Sequence, residues 1–160
     1  MARQRTFISL ILVLITTFLV GCGSPTEAVP PPVYTPAQLE KIQKYATDIY
    51  AVRDRAAELQ SLIENRDWIK VGNFIHGPMA EARYDMNYIV PNLLPSEQSK
   101  ARQITRDLFN SLVKIDQAAS DGNQRVALNS YDAAYASIEK FLDLLPELPQ
   151  TPALESGEEG

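Results

Sequence analysis

Cysteine and histidine each occur only once in this chain of 160 residues, as Cys22 and His76. A single cysteine excludes a disulfide within the chain, and a single histidine excludes metal sites that need two imidazoles. The sequence also lacks a Gly-x-Ser-x-Gly nucleophile elbow, a glycine-rich phosphate loop and a Cys-x-x-Cys-His haem attachment motif. Without these signatures of common enzyme and cofactor classes, we predict a protein that is not an enzyme.

Basic residues are too few and too scattered for a nucleic-acid-binding protein. The chain has 15 Lys and Arg against 20 Asp and Glu, for a formal charge of −5. Nucleic-acid binding depends on clustered Lys and Arg that neutralise phosphates, and no run of five such residues exists. We therefore expect no nucleic-acid partner, and no charge-driven attachment of the protein body to anionic lipid.

The only long apolar run lies at the N-terminus. Arg3 and Arg5 precede the 14-residue stretch Phe7–Val20, which Gly21 and Cys22 close. This stretch is shorter than the roughly 20 residues of a membrane-spanning helix, and the pattern is typical of a bacterial lipoprotein signal peptide. We predict a signal peptide over residues 1–21 and acylation of Cys22, so that lipid holds the protein to a membrane outside the cytoplasm. The alternative is an uncleaved anchor helix.

Two segments are predicted to lie outside the folded part. Residues 22–34 contain four prolines, which favour an extended tether of roughly 40 Å at about 3.1 Å per residue. Plain disorder is the alternative for this tether. Residues 146–160 are acidic and are predicted to form a disordered tail.

Residues 35–145 have the pattern of a helical domain. Apolar residues recur every three or four positions in four stretches, and no strand candidate stands out. Each stretch predicts a helix with one apolar face, called its apolar stripe below. Because antiparallel packing buries all four stripes together, the sequence predicts an all-α fold, an up-down-up-down four-helix bundle.

Capping and helix-breaking residues divide the four helices. Thr35 and Asp67 are predicted N-caps of the first and second helices, and Pro95 fits the first position of the third. Gly122 is suited to the turn between the third and fourth. We expect the first helix to run unbroken to about Asn65.

Two prolines are expected to interrupt or end these helices. Pro78 lacks the N–H that a helix interior needs, so a kink or break is expected in the second helix. Pro146 is expected to end the fourth helix just after Leu145.

The second helix carries the candidate binding residues. Exposed Trp, Tyr and Arg are the residue types that most often anchor protein interfaces. The partner-binding candidates are Trp68, His76, Arg83 and Asp85. The alternative is that Trp68 and one tyrosine belong to the core and that the others are ordinary surface residues.

No native metal site or cofactor is predicted beyond the covalent lipid on Cys22. His76 has no second histidine to share a metal with, and a hydrogen bond near the Gly-Pro step is its expected role. Acidic residues elsewhere in the bundle leave an incidental zinc site at His76 open.

Several segments of the chain resemble the PsbQ-like family of cyanobacteria. The similarity covers about residues 45–145, and the His-Gly-Pro-Met step after Trp68 is its most specific part. The segments that carry it are Trp68–Met79, Arg83–Met86, Leu93–Pro95, Asp107–Phe109 and Asp116–Ala119.

The resemblance implies a four-helix bundle that is an extrinsic subunit of photosystem II on the lumenal side of the thylakoid membrane. Such a subunit would lie near the manganese-stabilising protein and the CP47 antenna subunit, and would support oxygen evolution when calcium or chloride is scarce. It implies Cys22 as the acylation site. It also marks Trp68, His76, Arg83 and Asp85 as signature positions, without deciding between contact and structural roles.

A different function stays open from the residues alone. A bacterial envelope lipoprotein that binds a small ligand or metal inside its bundle would share the leader and the helices. An apolar cavity of a few hundred Å³ with converging polar groups would favour it.

Overall fold

The computed structural model describes residues 33–147. The predicted signal peptide, Cys22, nearly all of the tether and most of the acidic tail lie outside the described residues. Within them, none of the helices is both long enough and apolar enough to cross a membrane.

The first helix begins where its capping residues predict. The Thr35 hydroxyl oxygen accepts a hydrogen bond from the Gln38 backbone N–H at 3.3 Å, and the Gln38 side-chain oxygen accepts one from the Thr35 N–H at 2.9 Å. This reciprocal pair satisfies two N–H groups that the helix itself leaves free. Helix α1, Pro36–Asp54, follows with Pro36 at its first position.

The prediction of one unbroken first helix is wrong at Arg55. This residue has φ −92° and ψ 14°, and it separates α1 from α2, Ala56–Glu64. Two tyrosines of the fourth helix lie against the interruption: Tyr131 donates to the Ala56 carbonyl at 3.1 Å and Tyr135 to the Val52 carbonyl at 3.4 Å. Because these partners come from a distant part of the chain, the local apolar pattern contains no sign of the break.

The second helix begins at Asp67, whose side chain accepts a hydrogen bond from the Lys70 N–H. It comprises α3, Trp68–Phe74, a π-helical turn, Ile75–Met79, and α4, Ala80–Ile89. The disruption expected at Pro78 therefore takes the form of a wider helical turn, which accommodates a residue without an N–H. A 3₁₀ turn, Val90–Asn92, ends the helix at Pro91.

The third and fourth helices are α5, Pro95–Ser120, and α6, Gln124–Leu142. Gly122 joins them with φ +67°, as predicted for a left-handed turn residue. Helix α6 ends three residues before Leu145, the expected last residue of the stripe. Leu144 and Leu145 still pack against the core although they lie outside the helix.

The four helices form the predicted bundle. The first (α1 and α2) packs against the second and the fourth, and the third lies between the second and the fourth. The tyrosine bonds fix the antiparallel direction, since the later residue of α6 reaches the earlier residue of the first helix. The largest fully buried side chains are Phe141, Ile42, Ile49, Leu59, Ile63, Met79, Met86, Ile89, Leu93, Leu108, Ile115 and Ile138.

Two glycines give opposite predictions for an added methyl group. At Gly122 the positive φ opposes any L side chain, although the nearest atom, Trp68 Nε1, would lie 3.9 Å away. Gly72 lies within α3, and a Cβ there would meet nothing within 4 Å. We expect Gly122→Ala to lower the free energy of unfolding by about 1 kcal/mol and Gly72→Ala to raise it by about 0.5 kcal/mol. Urea denaturation of both variants measures this, and changes of the same sign would contradict it.

A candidate docking surface between the second and third helices

The second and third helices pack side by side in a register that pairs distant residues. His76 Nε2 lies 3.0 Å from Asp116 Oδ1, and the Arg83 guanidinium carbon lies 4.3 Å from the centre of the Phe109 ring. The His76 and Asp116 side chains are 70% and 43% exposed, so their contact is a surface contact. His76 and Arg83 are seven residues apart on the second helix, and Phe109 and Asp116 are seven apart on the third. The two pairs therefore lie along one groove.

The first part of this groove is a cleft of about 210 Å³ that is open to solvent. His76 and Asp116 lie at one end, and Arg83 lines the cleft beside large apolar side chains. Three of these are unusually exposed for their type: Tyr84 at 57%, Phe109 at 43% and Val113 at 37%. Exposed aromatic groups that line a cleft are typical of a protein-binding surface.

A second cleft, of about 200 Å³, shares Arg83 and Phe109 with the first. Its other lining residues are Asn87, Arg102, Thr105 and Arg106. Because Arg83 and Phe109 line both clefts, we treat the lining residues of the two clefts together as the α4–α5 surface. One part of this surface is apolar and aromatic, and the other carries three arginines.

Arg83 lies at the centre of the α4–α5 surface. Its guanidinium stacks over Phe109 and lies 5.7 Å from the Tyr84 ring centre. Its Nε is buried and makes no hydrogen bond within the described residues. The aromatic rings therefore hold the charge in place without neutralising it.

Asp85 lies on a different face from Arg83, since residues two apart on a helix point about 200° apart. Burial raises the pKa of the Asp85 carboxyl, and the nearby carboxylates of Asp48 and Glu81 raise it further. Asp48 belongs to α1, so Asp85 faces the first helix. Across the same interface, Tyr45 and Tyr88 stack with their ring centres 5.1 Å apart.

Trp68 lies at the end of the bundle. It is partly buried against the core, and its indole nitrogen faces the turn at Gly122. Fifteen helical residues separate it from Arg83, a distance of roughly 22 Å. Of the four predicted binding residues, the structure therefore brings together only His76 and Arg83.

His76 and Asp116 supply two potential metal ligands. Within residues 33–147 no group of three or more His, Cys, Asp or Glu side chains is placed to hold a metal ion. A structural zinc site has four protein ligands. An incidental zinc ion at His76 stays a prediction.

Sequence reasoning missed the contribution of α5 to this surface, namely Arg102, Arg106, Phe109 and Asp116. These residues meet the second helix only through the register of the bundle. Phe109 alone had a local signal, because it lies outside the apolar stripe that includes Leu108 and Leu112. An aromatic residue off the buried stripe of a helix is a candidate surface anchor.

The fold and the α4–α5 surface define the class as a helical bundle with a face suited to binding another protein. The chain belongs to the PsbQ family, oxygen evolving enhancer protein 3, whose family model matches residues 2–146. It is also 39% identical over 148 residues to CyanoQ of Synechocystis sp., which covers 92% of this chain and 99% of that protein.

Membership of this family confirms the predicted role. The protein is an extrinsic oxygen-evolving enhancer that associates with photosystem II on its lumenal side. This finding decides against the alternative of an envelope lipoprotein that binds a small ligand. The core of residues 33–147 is consistent with this decision. Its largest side chains are fully buried in the interior, and the two clefts described above lie at the surface.

The position of Asp85 predicts a pH-dependent effect on stability. Because folding raises the pKa of Asp85, the protonated carboxyl stabilises the folded state relative to the unfolded state. This contribution to the free energy of unfolding is lost as the pH rises above the ordinary pKa near 3.9. Asp85→Asn should raise the free energy of unfolding at pH 7 by about 0.5 kcal/mol and leave it unchanged near pH 3. Thermal melts across this range measure the difference. Asp132→Asn, at an exposed position of α6, is the matched control for the loss of an aspartate.

Proposed function

We propose that the protein works as a lipid-anchored cover on the lumenal face of photosystem II. Acylation of Cys22 would restrict it to the membrane surface, and two or more acyl chains are sufficient for stable anchoring. The leader pattern supports this proposal, and the family match from residue 2 includes both the leader and Cys22. Confinement raises the effective concentration of the bundle near a membrane-embedded partner, so that a weak contact suffices.

The α4–α5 surface is the proposed contact with photosystem II. The observation that carries this proposal is the line of exposed side chains formed by Tyr84, Phe109 and Val113 beside Arg83. Exposed apolar groups of this size are costly in water and gain free energy when a partner covers them. The manganese-stabilising protein and the CP47 antenna subunit are the proposed partners.

The proposed action is mechanical rather than chemical. The bundle has one continuous buried core, and the side chains of Thr35, Asp67 and Asn123 cap the starts of its first, second and fourth helices. Such a body would restrain the proteins that it covers and would slow the loss of calcium and chloride from the oxygen-evolving complex. This role needs no resident cofactor and no catalytic residue in the chain.

The lipid anchor is tested by Cys22→Ser in the native host. The variant should fold normally, since Cys22 precedes the bundle, but it should leave the membrane fraction in a wash that retains the wild type. Quantitative immunoblotting of washed thylakoids measures this. The proposal of a lipid tether fails if the variant is retained equally and intact-mass measurement of the wild type finds no acyl group.

The docking surface is tested by Phe109→Ala in cells that otherwise lack the protein. We expect the variant to restore less oxygen evolution than the wild type, and the deficit to be larger in medium low in calcium or chloride. Ile69→Ala is the matched control, because Ile69 is 80% exposed but lies near the end of the bundle outside the α4–α5 surface. Equal rescue by both variants would remove the α4–α5 surface from the proposal.

A further inference from the structure

The second cleft of the α4–α5 surface carries positive charge that no carboxylate of residues 33–147 neutralises by an ion pair. Its lining includes Arg83, Arg102 and Arg106 but no Asp or Glu. Arg102 donates to the Gln98 side-chain oxygen at 3.3 Å, and Arg106 donates to that of Gln103 at 2.6 Å. Both acceptors are neutral amides, so among the residues that the structure describes these three guanidinium groups have no carboxylate partner.

Some basic residues elsewhere in residues 33–147 do have a carboxylate partner. Arg53 pairs with Asp54 at 2.7 Å, and Arg55 pairs with Glu58 at 2.8 Å. The chain as a whole is acidic, with a formal charge of −5. A cleft lined by three arginines and no acidic residue therefore has a charge opposite to the net charge of the chain. Because charge complementarity selects binding partners, this positive cleft indicates an anionic partner.

We propose that this cleft binds an acidic segment of the photosystem II protein against which the chain docks, with carboxylates placed on Arg83, Arg102 and Arg106. The inference rests on the docking role proposed above and names the chemistry of the partner. Guanidinium groups bind carboxylates through two parallel hydrogen bonds, which adds geometric selectivity to the charge. Asn87 and Thr105 line the same cleft and supply further polar groups.

The adjoining aromatic cleft extends the proposed contact. Phe109 belongs to both clefts, so a segment that places carboxylates on the arginines continues directly over this ring and Tyr84. The partner segment is therefore expected to carry an apolar side chain next to its acidic residues.

An anionic lipid surface is the weaker occupant for this cleft. Basic segments that bind such membranes carry four to eight Lys or Arg, each worth about 1 kcal/mol near the surface. Here only three arginines are present, and Arg83 is partly enclosed between rings.

The test is rebinding of the acylated protein, in detergent, to photosystem II particles from which it has been removed. The charge-neutral variant is Arg102→Gln with Arg106→Gln, and the matched control is Arg125→Gln with Lys140→Gln on α6. Both pairs are exposed, and circular dichroism verifies that the variants fold. We expect the first pair to weaken binding by about tenfold and to reduce its dependence on salt, while the control stays within about twofold.

Competition identifies the chemistry of the partner. A synthetic hexaglutamate peptide should release the wild-type protein from the particles, and a neutral hexaglutamine peptide should not. Equal affinity of the arginine variant and the control would overturn the inference while leaving the proposed docking role intact. Failure of the wild type itself to rebind would overturn both.

Other occupants of the cleft have distinct outcomes. Arginine-dependent binding to vesicles rich in anionic lipid, without binding to stripped particles, would assign the cleft to lipid. A dimer that the arginine variant abolishes would assign it to a second copy. A fivefold gain in affinity after removal of residues 148–160 would assign it to the acidic tail of the chain itself. Each of these results would overturn the inference.

Discussion

Each of the four helices has an apolar stripe, and these side chains are buried from water only when the helix packs against its neighbours. This requirement sets the antiparallel register, because the stripes must overlap along their full length. The register then decides which surface residues meet. Arg83 lies level with Phe109 and His76 with Asp116 because the core residues between them interlock. The α4–α5 surface is therefore a consequence of core packing rather than of local sequence.

The same packing permits the two irregular places in the helices. At Arg55 the first helix is interrupted, and tyrosine hydroxyls of α6 reach the carbonyls of Val52 and Ala56. The Val52 carbonyl also accepts the Arg55 N–H at 3.1 Å, so the tyrosine bonds add contacts from α6 to a turn that is already hydrogen-bonded. At Pro78 a π-helical turn keeps the second helix continuous, and His76 at this turn still reaches α5.

The electrostatics divide the second helix into two unlike faces. The face toward α5 holds Arg83 against aromatic rings, and the face toward α1 holds Asp85 among other carboxylates. An acidic protein thus presents a cleft with three arginines on this side of the described bundle. In the docking proposed above, this cleft would orient the bundle toward an acidic partner.

Local sequence determined the family resemblance and where each helix begins, since capping is a contact between residues three or four apart. Thr35, Asp67 and Gly122 all have their predicted roles. Trp68 and Asp85, predicted together with His76 and Arg83, instead lie away from the α4–α5 surface. Only the tertiary structure decided this separation and brought α5 into the surface, because contacts between helices depend on how all four stripes pack at once.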